Sequence, residues 1–233
     1  MLSRYLEKSI LDDLAEKMVF LGGPRQVGKT TLVKTIGQGR FKENVKYLNW
    51  DAREDRKRIL AGTFAADEAL ILFDEIHKYR HWKTFIKGFF DKNKARYEII
   101  VTGSSRLDVY RKGGDSLLGR YHHYRLHPLS LGEVVSKGAP QAHAGRALGF
   151  QDSTRETRDA LGRLLKFGGF PEIFLKGTEK ALHRWHNHRL DALVSQDIRD
   201  IENLRDLSGI ETLIHLLPDK VGGLLSVNSL RED

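Results

Sequence analysis

The stretch Met18-Val19-Phe20-Leu21-Gly22-Gly23-Pro24-Arg25-Gln26-Val27-Gly28-Lys29-Thr30-Thr31 decides the fold. Residues 18–21 are an unbroken apolar run, cut off by two glycines and a proline, which reads as a buried strand stopped by a loop. Gly23 to Thr30 fit GxxxxGK(S/T), the phosphate-binding loop. The chemistry accounts for the residue types. Glycines let the backbone wrap an anion in conformations that a Cβ obstructs, and a helix opening at Lys29 aims its N–H groups at the phosphates. In such a loop Lys29 reaches the β- and γ-phosphate oxygens and the Thr30 hydroxyl ligates magnesium. Pro24, Arg25, Gln26, Val27, Gly28 and Thr31 complete the candidate nucleotide-binding set.

Outward from this loop, strand and helix patterns alternate. Upstream, Leu2, Tyr5, Leu6, Ile10, Leu11 and Leu14 recur at helical spacing and predict an amphipathic helix over 3–16. Downstream, a helix over 29–37 precedes a strand over 45–50, a charged helix over 52–60 and a third strand over 69–73, apolar on both faces as parallel strands are. Trp82, Phe85, Ile86, Phe89 and Phe90 give a helix over 81–93 a broad apolar face, and strands follow over 97–102 and 121–126. This rhythm implies parallel βαβ units and a three-layer α/β domain. The segment 138–156, rich in Gly, Ala, His and Gln, predicts a loop or insertion, and from Ser153 onward only helical periodicity remains.

Composition narrows the chemistry. The 233 residues carry 39 Lys plus Arg against 31 Asp plus Glu, a net charge of +8, and no cysteine. A chain of this length buries about 70% of its unfolded surface and needs no covalent or metal staple. Thiol nucleophiles, Cys-ligated zinc and iron–sulfur clusters are excluded. No apolar run approaches the roughly 20 residues that cross a bilayer, and residues 1–16 lack the apolar core of a secretory signal, so a cytoplasmic location is expected. The positive charge favours polyanionic partners, against the alternative of a merely solvated basic surface.

Two further segments carry chemistry. Leu70-Ile71-Leu72-Phe73-Asp74-Glu75 sets two carboxylates at the C-terminal end of an apolar strand, where ligands of parallel sheets bind. Asp74 is the candidate magnesium holder, and Glu75 the group that orients the attacking water or accepts its proton. Ile99-Ile100-Val101-Thr102-Gly103-Ser104-Ser105 ends another strand in hydroxyls; Ser104, then Thr102, is expected beside the γ-phosphate, the alternative being a helix cap.

Competing patterns are weaker. Asn93-Lys94-Ala95-Arg96 lacks the Asp of a guanine-reading segment, and the DExH-like string at 74–77 lacks the second RecA-like domain that a helicase needs. His77 and His81 lack the Glu of a HExxH zinc site, and His122 and His123 point to opposite faces of a strand. His183, Arg184, His186, His188 and Arg189 read as a solvated helix face, or more sharply as a contact for a nucleic-acid backbone.

Together, GPRQVGKTT, ILFDEIHK, IIVTGSSR, SLLGRY followed by HPLSLGE, and FGGFPE resemble the bacterial and archaeal predicted ATPases of the AAA+ superfamily, a group with STAND-like features. The resemblance implies a P-loop sandwich over 1–135 with a five-stranded parallel sheet in the order 5-1-4-3-2, and a helical lid over 153–205. It also implies ATP or ADP with magnesium as cofactors and a homo-oligomeric assembly. By the same resemblance, Arg120 matches an arginine finger serving a neighbouring subunit, and Pro171 of Gly168-Gly169-Phe170-Pro171 meets the adenine or ribose. Members carry a further C-terminal domain; residues 206–233 are expected to open a winged-helix unit left incomplete at Asp233.

The expected activity is a slow, magnesium-dependent ATPase acting as a conformational switch. Two alternatives stay open: a winged-helix module that binds DNA through its basic surface, with nucleotide structural or regulatory, and a chaperone-like or signalling scaffold that oligomerises on ATP.

Overall fold

The computed structural model describes residues 2–65, 67–103, 117–136, 153–192, 207–223 and 226–232. Five strands, β1 (Met18–Gly22), β2 (Val45–Asn49), β3 (Leu70–Asp74), β4 (Glu98–Thr102) and β5 (Tyr121–Arg125), form one sheet. Its order is β2-β3-β4-β1-β5, and every pairing is parallel. This is the predicted order, read from the opposite edge.

The period-two alternation of the strands sorts the core onto two faces. Met18, Phe20, Ile71, Phe73, Ile99 and Val101 point to one side, where Trp82, Ile86 and Phe89 of α4 (Trp82–Asn93) and Ile59 of α3 (Arg53–Ala61) cover them. Val19, Leu21, Leu70, Leu72 and Ile100 point to the other, against Ile10 and Leu14 of α1 (Leu6–Leu14) and Leu32, Val33 and Ile36 of α2 (Lys29–Ile36). Both faces being covered explains why β1 and β3 are buried at every position. Strand β5 is an edge and only half-buried; its Tyr121 ring stacks on Phe20 at 4.4 Å.

Departures from the sequence reading are local. Helix α2 stops at Ile36 and widens into a π-turn, Gly37–Phe41, before β2. The short helix α5 (Leu131–Val135) was not predicted, although its signal is in the sequence: Ser130 and Glu133 form a capping box. Glu133 is 1% exposed, and its carboxylate also accepts bonds from Arg4 Nε at 2.8 Å and Tyr5 N at 3.2 Å. The Arg4 guanidinium, itself buried, donates onward to Val27 O at 3.1 Å and His127 O at 2.5 Å. One buried ion pair therefore ties the N-terminal segment, the loop after β1 and the segment after β5.

Helices α6 (Arg155–Phe167) and α7 (Pro171–Lys176) follow. The turn between them docks on the segment after β5 through Leu129 N donating to Gly169 O at 2.7 Å. A Cβ at Gly169 would lie 2.6 Å from Leu129 O, so only glycine allows this approach. The chain divides into two compact units, Met1–Thr178 and Glu179–Asp233. The described elements of the second are helical: α8 (Glu179–Ala192), α9 (Leu207–Leu216), a 3₁₀ turn at Leu217–Lys220 and α10 (Val227–Glu232). Most of the expected insertion over 138–156 lies outside the described residues. No helix among the described residues is long and apolar enough to cross a membrane.

Glu133→Ala leaves the buried Arg4 guanidinium without its carboxylate and removes the α5 cap. It should destabilise the first unit by about 3–5 kcal/mol, measured by urea denaturation followed by circular dichroism.

Candidate functional site

Strand β1 delivers the chain at Gly22 into a loop whose backbone turns through three positive φ angles, 142° at Gly23, 63° at Gln26 and 96° at Gly28. At Gly23 glycine is compulsory, because a Cβ there would stand 2.5 Å from Leu126 O beyond the end of β5. Val27 is fully buried and pins the middle of the loop, and Leu32 N donating to Gly28 O at 2.9 Å starts α2 immediately after it. The loop thus closes on the N-terminus of an α-helix, where backbone N–H groups lack intrahelical partners and an anion is favoured. Lys29, 7% exposed, curls back so that Nζ donates to Gly23 O at 2.9 Å and Pro24 O at 2.8 Å. An ammonium is therefore held at the mouth of the loop.

Asp74 ends β3, two strands from β1, with the end of β4 between them. Its carboxylate is 5% exposed and accepts three hydroxyl donors: Thr30 Oγ1 at 3.1 Å, Tyr47 OH at 2.6 Å and Thr102 Oγ1. The register produces two of these, since Asn49 and Thr102 flank Asp74 on β2 and β4 and Tyr47 lies two residues before Asn49 on the same face. Burial, then the bond to Asp74, pushes the Tyr47 phenol well above its ordinary pKa and keeps it a donor.

Glu75 follows in the left-handed region, φ 58°, with its N–H on Thr102 O at 3.0 Å. Its carboxylate has Lys78 Nζ at 3.4 Å and His77 Nε2 at 3.7 Å. Burial raises its pKa, and the Lys78 ammonium opposes that rise.

A cavity of about 390 Å³ opens beside the loop, lined by Leu2, Arg4, Gly28, Thr31, Leu32, Leu129 and Pro171 among others. Most of the predicted residues thus converge: 23–31, Asp74 and Glu75 at the C-terminal ends of the strands, with Pro171 against Gly28. Arg120 is placed elsewhere. It precedes β5, its carbonyl receives the N–H of Met18 at the opposite end of the sheet, and its guanidinium is held by Asp91 of α4 at 2.8 Å and 3.1 Å. A five-residue strand, roughly 16 Å, separates it from the phosphate loop. Ser104 lies outside the described residues. No cluster of three or more His, Asp or Glu side chains that could hold a metal occurs among the described residues. Thr30 and Asp74 nevertheless offer hard oxygen donors, which suit magnesium completed by phosphate oxygens and water. Tyr47, Arg4 and Lys78 are not among the predicted site residues: Tyr47 and Arg4 lie in no motif, and Lys78 only closes the ILFDEIHK segment; for Tyr47, the alternation of β2 is a usable signal.

The family profile described as an AAA domain matches residues 15–135, and a domain of unknown function matches 158–233. An uncharacterized protein of Methanocaldococcus jannaschii is 25% identical over 231 residues, covering 93% of this chain and 50% of that protein. One of Haemophilus influenzae is 25% identical over 248 residues, covering 99% and 58%. The chain therefore spans about half the length of these curated relatives. Among solved structures, AMPPCP-bound DnaA from Aquifex aeolicus has a TM-score of 0.48 at 14% identity, covering 97% of this chain and 79% of that one. The Thermotoga maritima RuvB Holliday junction branch migration motor has a TM-score of 0.41 at 16% identity, covering 98% and 77%.

The raised pKa of Glu75 means that, between the ordinary carboxylate range and the folded value, the folded chain binds more protons than the unfolded one, so stability falls as pH rises through that window. Glu75→Gln should therefore be more stable than the parent at pH 7 in urea denaturation, with the difference fading below about pH 4.

Proposed function

The chain belongs to the AAA-domain family, whose profile covers more than half of its residues, and on that premise we propose that it binds ATP with magnesium and hydrolyses it slowly, as a nucleotide-driven switch. The observation that carries the reading is the convergence of Lys29, Thr30 and Asp74 at one end of the sheet. A cation poised at a helix N-terminus and a metal-suited carboxylate joined to it through a threonine hydroxyl are what a triphosphate tail requires.

In this reading the N–H groups of residues 23–30 take the phosphates, and Lys29 exchanges the Gly23 and Pro24 carbonyls for β- and γ-phosphate oxygens. Thr30 and Asp74 would hold magnesium, which supplies charge neutralisation at the phosphates. Tyr47 and Thr102 fix the Asp74 carboxylate from the two flanking strands. Glu75 orients the attacking water and accepts its proton, a role that its raised proton affinity suits. The base lies in the cavity between Leu2, Leu32, Leu129 and Pro171, whose apolar surface suits a purine face. Arg120, at the far end of the strands, serves only a neighbouring copy, where release from Asp91 would let it meet the γ-phosphate. Residues Ser104 and Thr31 stay candidates for the γ-phosphate and for the cavity rim.

A second reading, contact with a nucleic-acid backbone, is supported by the exposure of His183, Arg184, His186 and His188 along α8. Duplex DNA binding that weakens steeply with salt and is indifferent to Lys29→Ala would favour it.

Lys29→Ala should abolish binding of a non-hydrolysable ATP analogue in calorimetric titration. Glu75→Gln should keep that binding and lower turnover by about 10²-fold or more. Chelation of magnesium should stop turnover of the parent chain. Equal analogue affinity in Lys29→Ala and the parent would overturn the site.

A further inference from the structure

The turn that follows Glu75 carries a chain of charges that the chemistry above does not use. Lys78 Nζ lies 2.5 Å from Asp51 Oδ2 and 3.4 Å from Glu75 Oε2. Asp51 belongs to the loop after β2, and Lys78 ends the 3₁₀ turn Ile76–Lys78 after β3. The two loops are locked together independently: the Trp50 ring stacks on Tyr79 at 4.8 Å, and Trp50 N donates to Asp74 O at 2.9 Å. The ammonium is therefore presented from a braced position.

Glu75 needs such a restraint. Its left-handed backbone, φ 58°, is a conformation that residues with a Cβ rarely adopt, and its side chain has three further torsions. Oε2 is buried and makes no hydrogen bond of good geometry, so its placement depends on the nearby charge of Lys78 and on the wall formed by His77, whose side chain is 0% exposed. The Asp51–Lys78 pair is partly exposed, with side chains 54% and 28% accessible, and such pairs add little to stability. Its consequence is geometric.

We propose that Lys78, braced by Asp51, is a positioning residue for Glu75: its ammonium takes one carboxylate oxygen and leaves the other directed toward the attacking water. The inference rests on the reading of Glu75 as the water-orienting group. Without the ammonium the carboxylate spreads over several rotamers, and the fraction aligned for attack falls; misplacement of about 1 Å in a reacting group can cost 10²-fold in rate.

The experiment measures steady-state ATP hydrolysis and affinity for a non-hydrolysable ATP analogue in the parent, Lys78→Met, Lys78→Arg, Asp51→Asn and Glu75→Gln. Lys78→Met should lower kcat about 10- to 100-fold while KM and analogue affinity stay within about two-fold. Lys78→Arg, which can still reach both carboxylates, should recover most of the rate, and Asp51→Asn should fall between. Adding Lys78→Met to Glu75→Gln should slow it no further. An unchanged or higher kcat in Lys78→Met, with Glu75→Gln inactive, overturns the positioning role and leaves Glu75 in place. Full turnover in Glu75→Gln, or none in the parent, overturns the reading of Glu75 and this inference with it. Weakened analogue binding in Lys78→Met at unchanged kcat overturns the inference alone.

Discussion

A single buried carboxylate organises the site. Asp74 sits at the end of β3 at 5% exposure, and burying its charge is tolerable only because three hydroxyls donate to it. Those donors come from three different elements: Tyr47 on β2, Thr102 on β4 and Thr30 on α2. The parallel register brings the first two alongside, and the third arrives because β1 feeds the phosphate loop straight into α2. Shifting any strand by one residue would turn its donor to the other face. The fold and the proposed metal position are thus set by the same contacts.

The loop over residues 23–28 is held from both sides. In front, Lys29 bonds the Gly23 and Pro24 carbonyls. Behind, the Arg4–Glu133 pair grips the Val27 carbonyl, and Leu126 forbids a side chain at Gly23. The same buried pair links the loop to His127, two residues ahead of the Leu129–Gly169 bond. The Gly169–Pro171 turn and the loop are therefore joined through one set of contacts, within a single compact unit.

Much of this was legible in the sequence because local pattern and global fold agree. The unbroken apolar runs at 18–21 and 69–73 became the strands buried on both faces, and the glycines of 22–28 became the turns between strand and helix. Patterns with a known mechanism, the phosphate loop and the acidic strand end, gave residues that the fold then gathered at one end of the sheet. What was not legible depends on partners distant in sequence. Tyr47 and Asp74 are 27 residues apart, and Arg4 and Glu133 are 129 apart; no spacing rule connects such pairs. Glu133 was visible as half of a capping box, yet its second role needs a guanidinium delivered by the N-terminal segment. Arg120 shows the same limit: its place just before β5 was visible in the sequence, whereas its bond to Asp91 of α4 was not.

The most direct measurement is a crystal structure with a non-hydrolysable ATP analogue and manganese in place of magnesium, using anomalous scattering to locate the ion. The ion should lie between Thr30 Oγ1 and the Asp74 carboxylate, with the γ-phosphate on Lys29 Nζ and the base against Pro171. A triphosphate bound away from residues 23–30, or an anomalous peak with neither Thr30 nor Asp74 beside it, would contradict this reading of the site.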